Sequence, residues 1–188
     1  MNITGVLLAA GNSSRFGRDK LVEKLGDSHI TKQSAIHLLP HVQSVLVVIA
    51  EQNLALSQQL ETLALTIVPC ATAQQGMAAS LACGIQQSPD VDGWMIALAD
   101  MPFIQPQTYA QIISAAQQHP IVAPKFHDQR GHPVFIGKQF LHELLQLQGD
   151  CGAREILRRH AEQVYLVDVD DAGVVMDVDY PDDLLGKH

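Results

Sequence analysis

Three uninterrupted apolar runs constrain this 188-residue chain more than any other feature: Ile3–Ala9 (ITGVLLA), most of 43–50 (QSVLVVIA) and 94–99 (WMIALA). A strand with one wet face alternates apolar and polar residues. One that is apolar at nearly every position is buried on both faces, as in a parallel sheet covered by helices. Shorter strand candidates fall at 65–68, 121–123 and 164–167. Helical spacing of apolar residues marks 31–39, 53–63, 76–87 and 106–118. Pro40 and Pro120 stop two of these helices, and Pro106 suits the first turn of another. Alternating strands and helices predict an α/β fold, a three-layer α/β/α Rossmann-like arrangement with a mostly parallel sheet and right-handed crossovers. The pattern loosens after Pro124. Residues 125–135 read as a loop or hairpin leaving the main sheet, with helices at 139–146 and 152–160. No repeat, low-complexity tract or linker is evident, so residues 1–188 are expected to form one domain.

Composition narrows the function classes. Hydrophobic residues make up 47% of the chain and charged residues 17%, which excludes disorder. The formal charge of −8 opposes a broad nucleic-acid surface or an anionic membrane surface. A small anionic ligand remains compatible if cations concentrate, and Arg15, Arg18 and Lys20 fall within six positions. Cys70, Cys83 and Cys151 are odd in number, widely separated and without a CxxC spacing, which supports neither a zinc site nor a disulfide framework. The first apolar run is too short to cross a bilayer and lacks a basic leader, so a reducing, cytoplasmic location is expected. His37 and His41 have the spacing of a helical metal pair, but Pro40 interrupts the helix, and they read as surface residues.

The sharpest local feature is Leu8-Ala9-Ala10-Gly11-Asn12-Ser13-Ser14-Arg15-Phe16-Gly17-Arg18-Asp19-Lys20, where a buried strand empties into small residues, two glycines and three cations. Ligands of open α/β sheets bind beyond the carboxyl ends of the strands. Small residues let backbone N–H groups approach phosphate oxygens, while Lys and Arg neutralise them. The spacing fits neither a Walker A loop nor a dinucleotide fingerprint. The remaining alternative is a flexible loop with solvated cations.

Acidic residues close two other segments. Asp100 ends an otherwise apolar strand, where a carboxylate either holds a divalent cation or caps a following helix. Near the C-terminus, Asp177 and Asp179 lie two apart among Val174, Val175, Met176 and Val178, so a strand there would point both to one face.

The first loop resembles the L-A-[AG]-G-x-[SG]-x-R-[MF]-G-x-x-K signature of nucleotidyltransferases with a nucleotide-diphospho-sugar-transferase-like fold. Gly11, Arg15, Gly17 and Lys20 stand at signature positions, with Phe16 where methionine is more usual. Ala99-Asp100-Met101-Pro102 and the Asp177–Asp183 stretch resemble the family's two acidic motifs, although Tyr180 and Asp182 replace Thr and Glu. Gly76-Met77-Ala78-Ala79-Ser80-Leu81, Arg130-Gly131-His132-Pro133-Val134 and Gly149-Asp150-Cys151-Gly152-Ala153-Arg154 are similar to elements of the molybdenum cofactor cytidylyltransferases, within the MobA-like NTP transferases.

That resemblance implies transfer of CMP from CTP to the terminal phosphate of molybdopterin, with release of pyrophosphate. It implies nucleotide binding by Leu8, Ala9, Ala10, Gly11, Ser13, Arg15, Lys20, Gly76 and Ser80. Arg15, Lys20 and Asp100 would be catalytic. Asp100 and Asp177 would hold Mg²⁺, leaving Asp179 for a helix cap near Pro181, and His132 and Arg154 would face the acceptor. A molybdoenzyme or its chaperone is the implied recipient of the product. A guanylyl or sugar-1-phosphate transferase, and a non-catalytic nucleotide-binding or chaperone-like protein of the same fold, are the competing readings.

Overall fold

The structure, a computed structural model, describes residues 1–11, 19–180 and 182–183. Its first half comprises β1 (Ile3–Ala9), β2 (Lys24–Leu25), β3 (Ser28–His29), α1 (Ile30–Leu38), β4 (Ser44–Ala50), α2 (Leu54–Leu60), β5 (Thr66–Cys70) and α3 (Met77–Gln86). There follow β6 (Gly93–Leu98), α4 (Pro106–Ala116), β7 (Ile121–Phe126), β8 (Gln129–Arg130), β9 (Val134–Gly137), α5 (Leu141–Leu145), α6 (Arg154–Arg159) and β10 (Val164–Asp168).

The main sheet runs β10-β7-β9-β6-β1-β4-β5, with β8 paired to β7. Strand β1 sits between β6 and β4 and is parallel to both, with Leu8 opposite Val48 on one side and Leu98 on the other. Its unbroken apolar run is explained by two cores. Ile3, Leu7 and Ala9 pack with Leu38 of α1, Leu56 and Leu60 of α2, and Tyr109 and Ile112 of α4. Val6 and Leu8 pack on the opposite face with Leu81 and Ile85 of α3, Leu144 of α5 and Ile156 of α6. The period of two along the strand sends successive side chains into opposite layers. The result is the expected α/β/α arrangement with a mostly parallel sheet.

Helix α3 lies unusually close to the sheet. A Cβ on Gly84 would stand 2.7 Å from Val6 and 2.9 Å from Val48. The glycine lets the helix settle over β1 and β4, carrying its first turn to the carboxyl end of the sheet.

Three expectations are corrected. Residues 125–135 do not leave the sheet. Strand β7 continues to Phe126, β8 folds back on it, and β9 inserts antiparallel between β7 and β6. The polar tip at 127–132 concealed this, whereas Val134, Phe135 and Ile136 are fully apolar and buried. Second, Cys70 and Cys83 are disulfide-bonded, with Cα atoms 6.1 Å apart. Their spacing of 13 residues gave no sign of pairing, because they meet only when α3 folds back beside β5. The His37 and His41 pair is half-buried rather than solvated. His37 Nδ1 lies 2.8 Å from the Ile104 carbonyl oxygen, and His41 stacks on Tyr109 at a centroid distance of 5.9 Å.

A disulfide closing a loop of this size stabilises a fold by about 3 kcal/mol through the unfolded chain. Reductant is therefore expected to lower the melting temperature of the oxidised protein by several degrees. A C70S/C83S variant should melt near the reduced protein and be insensitive to reductant, as followed by circular dichroism.

Candidate active site

A cavity of about 1160 Å³ opens at the carboxyl ends of β1, β4, β5 and β6. Its lining includes Leu8, Ala10, Gly11 and Lys20 after β1, Gln52 and Asn53 after β4, Gly76 and Ser80 after β5, Leu98 and Asp100 from β6, and Asp150. Gly76 begins α3 with φ +111°, a conformation that disfavours any side chain. A Cβ there would also meet Asp150 Oδ1 at 2.5 Å and the Gly149 carbonyl oxygen at 2.6 Å. The Gly149–Cys151 turn is thus pressed onto the start of the helix.

The return from the first loop is held by local caps. Asp19 Oδ1 accepts from Leu21 N at 3.1 Å, and its Oδ2 accepts from Asn53 Nδ2 at 2.7 Å. Asn53 Oδ1 accepts from Leu56 N at 3.2 Å, capping α2. Thr31 donates its hydroxyl to the Leu21 carbonyl at 2.9 Å. These bonds deliver Lys20, only 8% exposed, into the acidic centre.

Lys20 Nζ lies 2.9 Å from Asp100 Oδ2 and 2.8 Å from Asp179 Oδ1. Burial works against its charge, but the hydrogen bonds to Asp100 and Asp179 outweigh it and hold the pKa above the ordinary lysine value. Asp177 completes the centre. Ligand oxygens of Asp100, Asp177 and Asp179 all lie within 4.8 Å of one another, the one such group found among the described residues. Burial raises the pKa of Asp177, and the charges of Asp179 and Asp100 add to the rise, with Lys20 acting against it. A cation relieves that crowding.

The segment after β10 delivers Asp177 and Asp179 past a 3₁₀ turn at Ala172–Val175 and not on a strand. Its anchor is Asp171, buried at 7% exposure. The Asp171 carboxylate accepts from Gln105 N at 2.9 Å, Thr108 Oγ1 at 2.6 Å and Gly173 N at 3.0 Å, tying the segment to the start of α4. His132 N then donates to the Val174 carbonyl, and Val178 N to the Asp100 carbonyl, each at 2.9 Å. Asp179 turns its Oδ1 to Lys20. Asp183 Oδ2 accepts from the backbone N–H of Asp179 and of Tyr180, at 2.9 and 2.7 Å.

Several sequence candidates thereby converge. Leu8, Ala10, Gly11, Lys20, Gly76, Ser80 and Asp100 line one cavity, and Asp177 joins Asp100 at its edge. Ala9 faces the core instead, 1% exposed, because it follows Leu8 in the alternation. Ser13 and Arg15 lie outside the described residues. His132 and Arg154 are not among the cavity-lining residues. Arg154 is exposed at the start of α6. His132 is half-buried, with a fully enclosed Nδ1 that has no hydrogen-bond partner among the described residues. Its pKa is pushed down to about 4 by burial, against the attraction of Asp100 and a backbone hydrogen bond at Ile96, while Arg130 and Arg154 push it lower. Sequence reasoning missed Asn53, Asp150 and Asp171. Asn53 carried a readable cap signal, but the partners of the other two are remote in sequence.

Residues 5–164 match the family described as MobA-like NTP transferase domain. The chain belongs to that family. It is 27% identical to the nicotine blue oxidoreductase of Paenarthrobacter nicotinovorans over 94% of this chain and 92% of that protein. It is 23% identical to the molybdenum cofactor cytidylyltransferase of Escherichia coli (strain K12), over 96% and 92%. Among solved structures, Rv0371c from Mycobacterium tuberculosis H37Rv superposes with a TM-score of 0.86 at 26% identity, covering 97% of this chain and 94% of that one. The manganese complex of the same mycobacterial protein gives a TM-score of 0.75 at 22% identity, covering 90% and 89%. This MobA-like chain is a nucleotidyltransferase, with the family's sheet and a cavity where the family's fold predicts one. No helix among its described residues is long and apolar enough to cross a membrane.

Two outcomes follow from this geometry. Asp171→Ala removes a charged acceptor and strands buried donors, so a loss of about 3 kcal/mol in urea unfolding is expected. His132 binds its proton near pH 4 when folded but near the ordinary 6.5 when unfolded. The unfolded chain therefore takes up the proton first, and stability falls as pH drops from 6.5 towards 4, then levels off. The cost approaches roughly 3 kcal/mol. A His132→Gln variant should show a flatter acid limb when urea midpoints are compared from pH 7 to pH 4.

Proposed function

We propose that this nucleotidyltransferase moves CMP from CTP onto the terminal phosphate of a molybdopterin-type acceptor, releasing pyrophosphate. The observation that carries this reading is the convergence of Lys20, Asp100, Asp177 and Asp179 at the edge of a cavity large enough for a nucleoside triphosphate. The donor set suits a hard divalent cation. Clustered carboxylate oxygens, short of a full coordination shell, leave room for phosphate oxygens and water, as Mg²⁺ requires. Asp100 and Asp177 would hold it, with Asp179 adjoining. Bound there, such an ion supplies charge neutralisation and polarisation of a phosphoryl group. A mycobacterial protein of similar fold has been solved as a complex with manganese, which favours a divalent ion here.

The chain's own groups do the rest. Ala10 and Gly11, without bulk, let the backbone N–H groups approach the polyphosphate, which Ser13 and Arg15 would also bind. Lys20 neutralises charge that accumulates on the departing pyrophosphate. Gly76 and Ser80 receive the nucleoside at the other wall. An acceptor phosphate oxygen is already anionic near neutral pH, so it attacks the α-phosphorus in line without a general base. The new P–O bond forms as the bond to pyrophosphate breaks. His132, kept neutral by its enclosed site, and the planar fork of Arg154 would orient the acceptor. The combination of Gly76-Met77 with Ala10, in place of Gly-Pro and a second glycine, favours cytidine over guanosine on the family resemblance. We place the protein in the cytoplasm.

Lys20→Ala and Asp100→Ala should each slow pyrophosphate release roughly 10²–10³-fold. Activity is compared under conditions where circular dichroism shows each variant still folded, since loss of these buried ion pairs also lowers stability. Turnover unchanged in both would refute the assignment, and turnover with GTP alone would replace cytidylyl by guanylyl transfer.

A further inference from the structure

The two bonded cysteines bracket one wall of the cavity. Cys70 ends β5 and Cys83 lies within α3. Between them, residues 71–82 form a 3₁₀ turn at Ala73–Gln75, the bend at Gly76 and the first turns of α3. Ala73, Gln74, Gly76, Met77 and Ser80 of that stretch all line the cavity. Strand β5 is the last of its sheet and pairs with β4 alone. The Cys70–Cys83 bond therefore ties α3 covalently to an edge strand and closes the loop that carries this wall.

The surroundings suit both oxidation states. Cys70 is buried, at 2% exposure, whereas Cys83 is partly exposed. Thr72 Oγ1 lies 3.5 Å from Cys70 Sγ and 3.8 Å from Cys83 Sγ, so its hydroxyl can donate to a thiolate at either. The Ala79 carbonyl oxygen, 3.8 Å from Cys70 Sγ, is an acceptor for the Cys70 thiol. In a reducing compartment, where the protein is placed above, a protein disulfide is usually transient and serves to sense oxidation.

We propose that Cys70 and Cys83 form a redox-sensitive clasp: their bond holds residues 71–82 in the arrangement that receives a nucleotide, and its reduction loosens them. That the ligand is a nucleoside triphosphate rests on the nucleotide-transfer reading above. The oxidant is a small-molecule disulfide of the glutathione type. The Cys83 thiolate attacks one of its sulfurs, forming a mixed disulfide and releasing one glutathione thiolate. The Cys70 thiolate then attacks Cys83 Sγ, the Cys70–Cys83 bond forms, and the second glutathione thiolate leaves. The two cysteines give up two electrons, and their two protons pass to the released thiolates. An added dithiol reverses both steps.

The test compares protein equilibrated with oxidised glutathione and protein equilibrated with dithiothreitol. CTP and GTP are titrated into each by calorimetry in magnesium buffer. The oxidised protein should bind its nucleotide about fivefold more tightly, because a loop already held in place need not be ordered on binding. C70S/C83S should bind as the reduced parent does in both buffers, and Cys151→Ser should keep the parent's response. Hydrogen–deuterium exchange without nucleotide gives an independent readout: the amides of residues 71–82 should exchange at least roughly threefold more slowly in the oxidised protein. Equal exchange in the two states overturns the clasp, and equal affinity overturns its effect on binding. A response that survives in C70S/C83S, or that is lost with Cys151→Ser, also overturns it. Binding of neither nucleotide in either state refutes the transferase reading, and the exchange difference then decides the clasp by itself.

Discussion

Burial of β1 on both faces, between two parallel neighbours, is the constraint from which the rest of the molecule follows. A strand with no wet face must be covered by helices above and below, and each must return the chain to the same end of the sheet. The residues that follow β1, β4, β5 and β6 are thereby forced to share one rim, and polar groups that could not be placed inside the sheet collect there. Lys20, Asn53, Gly76 and Asp100 come from different connections yet line one cavity. Gly84 sets how deep that cavity is, since α3 can press against Val6 and Val48 only where no Cβ intervenes.

The acidic centre is built by a different device. Asp177 and Asp179 reach the rim on a segment whose regular structure is a single 3₁₀ turn at Ala172–Val175, so much of its path is set by individual hydrogen bonds. Asp171 fastens it at α4, and backbone bonds to His132 and Asp100 carry it across the sheet ends. Three carboxylates so close repel one another, and that repulsion adds to the larger effect of burial in raising the pKa of Asp177. Lys20 offsets part of it from the opposite end of the chain, through ion pairs with Asp100 and Asp179. A site assembled with an excess of negative charge is pre-set to favour a cation and, through it, a polyphosphate.

Relatives of this chain at comparable identity include a cytidylyltransferase and an oxidoreductase. Fold alone therefore does not fix the chemistry, which is argued from the residues of the site.

The alternation of doubly buried strands with helices was legible from spacing alone, because burial on two faces leaves a continuous apolar run that no other strand environment requires. The rim positions of Ala10, Gly11 and Asp100 were legible for a related reason: a small, polar or charged residue directly after such a run must lie at the rim. Strand β9, the Cys70–Cys83 bond, the clasp of Asp171 and the pressing of Asp150 onto Gly76 were not. Each depends on a contact between segments far apart in sequence, or on a short antiparallel strand behind a polar turn, and local periodicity carries no information about such meetings. Sequence determined which residues must reach the rim; only the packing of helices against the sheet decided which of them touch, since contact distance is set by how closely the layers approach.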